Sequence, residues 1–316
     1  MTDQENTPKA ILLIIIGMSV FAIQDALIKS LTLEANIFLI YFMRSLMGLL
    51  LLSLFLFLKK EPIIFKTHYP ILTILRTIIF FIAFTLYYFS LSKLSLAKAI
   101  TLFFISPFFI TIFSILFLKE VIGIQRWFAL IIGFVGVYLV MEPDFNNFDI
   151  YSTFPILCAI GYALTMIIQK ITSDKDNLYS QSFHLYIGAL IFSAILGIVI
   201  GDGKYYNPSN PEFIFLFQAW SIKNYSMLFI FFLIGFITVF GFLCIFQAYR
   251  IGSPPSVAPF EYIIILWALI ISWFIWKDTL SLSGYIGLSM ILFAGIFTYF
   301  REVRKKIRVT IDKPLR

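Results

Sequence analysis

SLAKAITLFFISPFFITIFSILFLKE, residues 95–120, and SPPSVAPFEYIIILWALIISWFIWKD, residues 253–278, align without a gap at a separation of 158 residues. Lys119 falls on Lys277, Glu120 on Asp278 and Ser114 on Ser272, and upstream Tyr88-Phe89-Ser90 falls on Phe246-Gln247-Ala248. Few positions are identical. What is shared is a pattern: an apolar run, a short turn of Lys and acid, then a second apolar run containing Gly. A looser correspondence near a separation of 141 residues lays Ala22 on Ala163 and Lys29 on Lys170; near 140 it lays Gly48 on Gly188 and Arg44 on His184. The chain reads as one unit written twice.

Working outward, 60% of the 316 residues are apolar and 13% are charged, against about 25% charged in an ordinary soluble domain. A water-soluble protein of this size has too little interior to hide so much apolar surface, which excludes an ordinary soluble enzyme. A spanning helix needs about 20 mostly apolar residues. Ten segments qualify, at 10–31, 35–58, 71–92, 96–118, 124–141, 151–171, 180–200, 226–249, 255–276 and 282–300. Barrel strands would alternate polar and apolar residues, and runs such as Ile11 to Ile16 do not. The expectation is an all-α polytopic membrane protein of ten transmembrane helices, five within residues 10–141 and five within 151–300, followed by a basic tail at 301–316.

An odd number of spans per unit inverts the second unit relative to the first. Inverted repeats place a substrate near the membrane midplane, between two halves that rock, and this points to a transporter. Basic residues near span ends mark the cytoplasmic side. With the N-terminus inside, sixteen of the 24 Lys and Arg lie on the cytoplasmic side, and the acidic stretch Glu142 to Asp149 lies outside. Both termini are then cytoplasmic. The net charge of +7 is mostly this topology signal; the tail run Arg304 to Arg308 suits anionic lipid, not nucleic acid. Nothing in Met1 to Lys9 resembles a cleavable signal peptide. Cys158 and Cys244 fall inside spans and read as packing residues rather than a disulfide or metal pair.

Ionisable groups inside spans are costly and tend to face a cavity or to pair. Asp25 and Arg44 lie in the outer half and Arg76 and Glu261 in the inner half, each on the order of 10 Å from a span end at about 1.5 Å per residue. Two opposite-charge pairs follow, Asp25–Arg44 and Arg76–Glu261, either flanking and closing one central cavity or permanently pinning helices. Gln24, Thr165, Gln169, His184 and Gln247 are the polar neighbours that would line the same space. His184 is either a proton carrier or a neutral ring hydrogen-bonded to a helix. Tyr87, Tyr88, Tyr262 and Trp267 would form an aromatic wall, which attracts organic cations. A carboxylate and an arginine together suit a zwitterion. Pro107 and Pro259 fall inside spans, where Pro kinks or breaks a helix. Lys119-Glu120 and Lys277-Asp278 read as helix-end charges that fix topology. An intramembrane enzyme has nothing to promote it: H-E-x-x-H, P-loop and G-x-S-x-G patterns are all missing. A channel would need a continuous pore, often shared between subunits.

These residues carry a family resemblance. Ten spans in two five-span repeats resemble the drug/metabolite transporter superfamily, specifically its EamA-type members. PFFITIFSILFLKEVIGIQRWFALIIGFVGVYLV is similar to the EamA pattern of span, acidic turn and Gly-rich span, and QAYRIGSPPSVAPFEYIIILWALIISWFIWKD is similar to a bacterial subgroup that includes S-adenosylmethionine uptake carriers. Glu120 and Asp278 match the family's turn acid, which is usually Glu. The resemblance implies a secondary active transporter of the bacterial inner membrane, monomeric or homodimeric, with no cofactor. It implies a small amino-acid-like or amine-containing substrate, S-adenosylmethionine included, with export of drugs or other metabolites as the alternative.

Overall fold

A computed structural model describes residues 7–120, 123–141, 150–207, 213–277, 281–294 and 297. The stretch 142–149, Asp278 and the tail 301–316, which carried topology and turn expectations above, lie outside the described residues. The helices in chain order are α1 (Thr7–Leu31), α2 (Ile37–Lys59), α3 (Pro70–Leu91), α4 (Leu96–Phe103), α5 (Ser106–Leu118), α6 (Ile124–Met141), α7 (Thr153–Thr172), α8 (Leu178–Ile200), α9 (Ile214–Phe217), α10 (Tyr225–Ile251), α11 (Pro254–Val257), α12 (Ile263–Trp276) and α13 (Leu282–Ala294). Ala258–Tyr262 forms a 3-10 turn between α11 and α12. Eight segments among the described residues are long and apolar enough to cross a membrane, and two shorter apolar helices, Trp127–Gly136 and Leu282–Ala294, occupy the fifth and tenth positions. The protein is an all-α polytopic membrane protein.

Local sequence sets the helix ends. Asn36, Ser95, Asn177 and Asn224 are N-caps, each accepting a backbone N–H from the first turn that follows, which satisfies one of the orphan donors there. Lys119 and Lys277, the matched residues of the opening alignment, cap α5 and α12 in the left-handed conformation, at φ 55° and 61°. The Lys–acid turn is thus a backbone device as well as a charge. The proline-bearing fourth and ninth spans are both broken: α4 gives way to α5 just before Pro107, and α11 to α12 through the turn holding Pro259. Phe104 and Tyr262, equivalent at a separation of 158 residues, sit at the two breaks with ring centroids 5.4 Å apart. The breaks meet near the axis that relates the halves.

The packing repeats with the sequence. α1 packs along α10 as α3 packs along α7; α1 meets α12 as α7 meets α5; and α2 meets its own counterpart, α8. Lys29 at the end of α1 donates to the carbonyls of Leu91 (2.8 Å) and Leu94 (2.7 Å), past the end of α3. Lys170 at the end of α7 donates to the carbonyls of Arg250 and Gly252 at the end of α10, both at 2.9 Å. Each ammonium satisfies helix C-terminal carbonyls and complements the negative end of the helix dipole. The two clamps lie on opposite faces, because the Lys170 face carries the start of α3 and the Lys29 face its end. That is the inversion the odd span count requires. We call the face where α1 begins proximal and the other distal.

Each face also ties one repeat's connection to the other's. On the distal face Asn36 Nδ2 donates to the carbonyls of Leu216 (2.6 Å) and Gln218 (2.9 Å). On the proximal face Asp176 accepts from the Thr67 hydroxyl and from the His68 backbone N–H at 2.8 Å, with His68 Nδ1 at 3.0 Å. Burial works to raise the Asp176 carboxyl; these hydrogen bonds outweigh it and hold the group below its ordinary value. The stabilisation is therefore present above the ordinary carboxylate value of 3.8 and is lost as pH falls through the lower folded value. Asp176→Ala is expected to cost about 2–3 kcal/mol, since hydrogen bonds to a charged group contribute roughly 1.5–3 kcal/mol. Thermal unfolding together with faster exchange of the His68 amide would register it.

Candidate functional site

A small cavity lies between the two repeats, within the broken-helix layer. Its walls come from both repeats: Met18, Gln24 and Asp25 of α1, Phe84, Tyr87 and Tyr88 of α3, and Ile100 and Phe103 of α4, facing Tyr162 of α7, Phe242 of α10 and Ile264 of α12. Asp25 is the charged residue in that lining. Its Oδ2 accepts from the Tyr87 hydroxyl at 2.8 Å. The aromatic rings are packed edge and tilt: Phe103 lies 5.5 Å from Tyr87 and 5.2 Å from Tyr162, and Phe84 touches both Tyr88 and Phe103. A carboxylate among aromatic faces is an environment that favours a cation.

Gln24 and Tyr88 of the cavity wall also belong to a four-membered polar ring. Arg44 Nε donates to Thr238 Oγ1 at 2.9 Å; Thr238 Oγ1 lies 2.6 Å from its acceptor, Gln24 Oε1. Gln24 Nε2 donates to the Tyr88 hydroxyl at 3.2 Å, and Arg44 Nη1 donates to the same oxygen at 2.6 Å. The ring ties α2, α10, α1 and α3 together, with Arg44 also over the rings of Tyr41, Tyr88 and Phe242. On the proximal side Arg76 donates to Gln169 Oε1 and to the carbonyl of Gln181, and lies over Phe246 at 5.4 Å. Gln169 Nε2 donates to Gln181 Oε1 at 2.6 Å. Glu261 is separate from that cluster: its Oε1 accepts from Tyr162 at 2.7 Å and from Tyr249 at 2.6 Å.

The expected ion pairs Asp25–Arg44 and Arg76–Glu261 are not formed. His68 and Asp176 make a charge contact on the proximal face, whereas Asp25, Arg44, Arg76 and Glu261 each take neutral hydrogen-bond partners. The reason is reach: a guanidinium has five donors in a fixed fork, and acceptors from two helices satisfy it better than one carboxylate on one helix. Of the residues expected to line the site, Gln24, Asp25, Tyr87 and Tyr88 do so. Thr165 donates to the Tyr162 carbonyl, so it supports the wall without entering it. Gln169 belongs to the Arg76 cluster, and Tyr262 is buried at the helix breaks. Gln247 is half-buried, outside the lining. His184 Nε2 sits 2.8 Å from the carbonyl of Phe65, away from the cavity. Trp267 is 40% exposed on the outer surface, its Nε1 donating to Ser19 Oγ. Tyr162, Tyr249, Thr238 and Gln181 were not expected. Against a chain that is 19% aromatic, two more tyrosines carry no signal; only an acid with no cation in reach would have asked for hydroxyl donors.

With that geometry in place, comparison with known proteins adds three findings. The EamA-like transporter family matches the chain twice, over residues 8–142 and 150–300. The S-adenosylmethionine uptake transporter of Rickettsia felis is 25% identical over 90% of each chain. The pseudopaline exporter CntI of Pseudomonas aeruginosa is 22% identical over 87% of this chain and 91% of its own, and a riboflavin transporter of Vibrio cholerae is 23% identical over 67% of this chain and 65% of its own. A solved crystal structure overlays with a TM-score of 0.71 at 14% identity, covering 94% of this chain and 97% of the other, and establishes the fold alone.

Proposed function

Because the chain belongs to the EamA-like transporter family, we propose that it moves a small, cation-bearing, amino-acid-like metabolite by alternating access, with S-adenosylmethionine the first candidate. The observation that carries this reading is Asp25 in an aromatic cavity shared by the two repeats. A sulfonium or ammonium group satisfies both features at once, through charge on the carboxylate and through the ring faces. Gln24 and the Tyr88 hydroxyl, held by Arg44 behind them, offer polar contacts for the rest of an amino-acid-like molecule. The name of the Rickettsia relatives supports the same substrate, and the names of the others extend the class to exported and aromatic metabolites. In this reading the two repeats rock about the meeting of Phe104 and Tyr262, and the polar ties on each face make and break in turn. The membrane is the bacterial inner membrane, with the proximal face and both termini cytoplasmic, as the distribution of Lys and Arg suggests.

The test is uptake of a panel into proteoliposomes: labelled S-adenosylmethionine, neutral amino acids, carboxylate-only metabolites and quaternary amines. Cation-bearing members are expected to enter and to compete with one another. Folded protein that carries only carboxylates, or nothing in the panel, would defeat the substrate reading.

A further inference from the structure

Glu261 has no accessible surface. It sits in the 3-10 turn where the ninth span is broken. One carboxylate oxygen receives two tyrosine hydroxyls, from Tyr162 of α7 and Tyr249 of α10. The other, Oε2, has no hydrogen-bond partner among the described residues. Those two tyrosines are the titratable groups that meet it. Of the other elements packed on this turn, α5, α11 and α12 carry no charged residue. On α1, Lys9 is exposed, Asp25 accepts from Tyr87, and Lys29 binds carbonyls on the distal face; α6 carries Arg126 in its first turn and Tyr138, which is 45% exposed. A buried carboxylate without a cation costs several kcal/mol as an ion, and an orphaned buried oxygen calls for an explanation. Tyr162 both lines the cavity and donates to Glu261, so one phenol separates this acid from the substrate space.

We propose that Glu261 is the site of a coupling proton: Oε2 carries the proton while the cavity is empty and gives it up when a cationic substrate lies against Tyr162. The proposal rests on the cationic-substrate reading above. A proton needs one oxygen, whereas a metal cation needs several hard ligands at once, and the described residues hold no cluster of three metal-binding side chains. A cation beside Tyr162 favours the ionised form of an acid one residue behind it. In that step the O–H bond of the acid breaks, the electron pair stays on the carboxylate, and the proton passes to water on the side to which the carrier is open. One positive charge enters the closed site as one leaves it, so substrate and proton exchange.

The experiment uses the full chain in proteoliposomes, with labelled S-adenosylmethionine as probe. An imposed proton gradient should drive wild-type accumulation. Glu261→Gln should fall to the level seen without a gradient while keeping countertransport above protein-free vesicles. Wild-type accumulation indifferent to the gradient, or a Glu261→Gln variant that still follows it, overturns the proposal. Infrared difference spectra of the substrate-free protein give a readout that needs no transport. A protonated carboxylic-acid C=O band should be present in Asp25→Asn, which removes the other buried acid of the spans, and be missing from the double variant Asp25→Asn/Glu261→Gln. Lack of that band in Asp25→Asn overturns the proton site. Lack of S-adenosylmethionine countertransport with the band present defeats only the substrate reading.

Discussion

Asp25→Asn is expected to reduce S-adenosylmethionine uptake at sub-saturating concentration by about 30-fold or more while the protein reaches the membrane at its wild-type level. Removing one charge of a desolvated pair costs about 2–5 kcal/mol, which is roughly 30-fold at the lower bound. The substitution keeps shape and the acceptor for Tyr87, whose hydroxyl lies 2.8 Å from the carboxylate, so the helix packing around α1 and α3 has little reason to change. What is lost is the charge of the cavity lining. Asp25→Glu, which keeps the charge but moves it about one methylene, should fall between the two. Initial-rate uptake in proteoliposomes, normalised to reconstituted protein, measures all three. Uptake by Asp25→Asn equal to wild type would remove Asp25 from the substrate site.

Gly188→Ala is expected to destabilise the fold by overpacking one helix crossing. Gly188 of α8 crosses α3 at Thr77, and a Cβ placed there would overlap the Thr77 methyl and come within 3.2 Å of its Cβ. Overpacking of this kind costs about 1–3 kcal/mol. Thr77→Ser deletes the offending methyl and keeps the hydroxyl that bonds to the Thr73 carbonyl, so the double variant should recover most of the loss. Gly48 provides the contrast. It is the sequence partner of Gly188, yet a Cβ there meets the Tyr186 ring at an ordinary 3.6 Å, and Gly48→Ala should be tolerated. Thermal unfolding in detergent, read by loss of monodisperse protein, ranks the four. A double variant no more stable than Gly188→Ala would show that the cost arises elsewhere.

The architecture was largely legible because membrane burial acts on whole segments. Apolar runs of the length of α1, α2 and α8 have no other use, and the gapless match exposed the duplication. The Lys29–Lys170 correspondence, two single residues in a loose alignment, turned out to mark equivalent clamps on opposite faces. Prolines 107 and 259 were visible as breaks to come, though not that their helices would meet at Phe104 and Tyr262.

The site was legible only in part. Counting residues from span ends put Asp25 and Arg44 in one layer, and both are there. Depth does not give rotation, and a span that is apolar all round offers no polar stripe to orient it. Opposite charges at similar depth were therefore paired by default. Arg44 instead closes a ring through Gln24, Tyr88 and Thr238, and Glu261 is held by hydroxyls from two other helices. His184 and Trp267 are residue types that suggest function, yet one serves a loop carbonyl and the other faces outward.

The most direct test of an alternating-access carrier is countertransport. Vesicles preloaded with unlabelled S-adenosylmethionine should take up the labelled compound faster than empty vesicles, with a rate that saturates as external concentration rises. A flux that is indifferent to preloading and grows linearly with concentration would contradict the account, because a cavity that opens to one side at a time cannot conduct as a pore does.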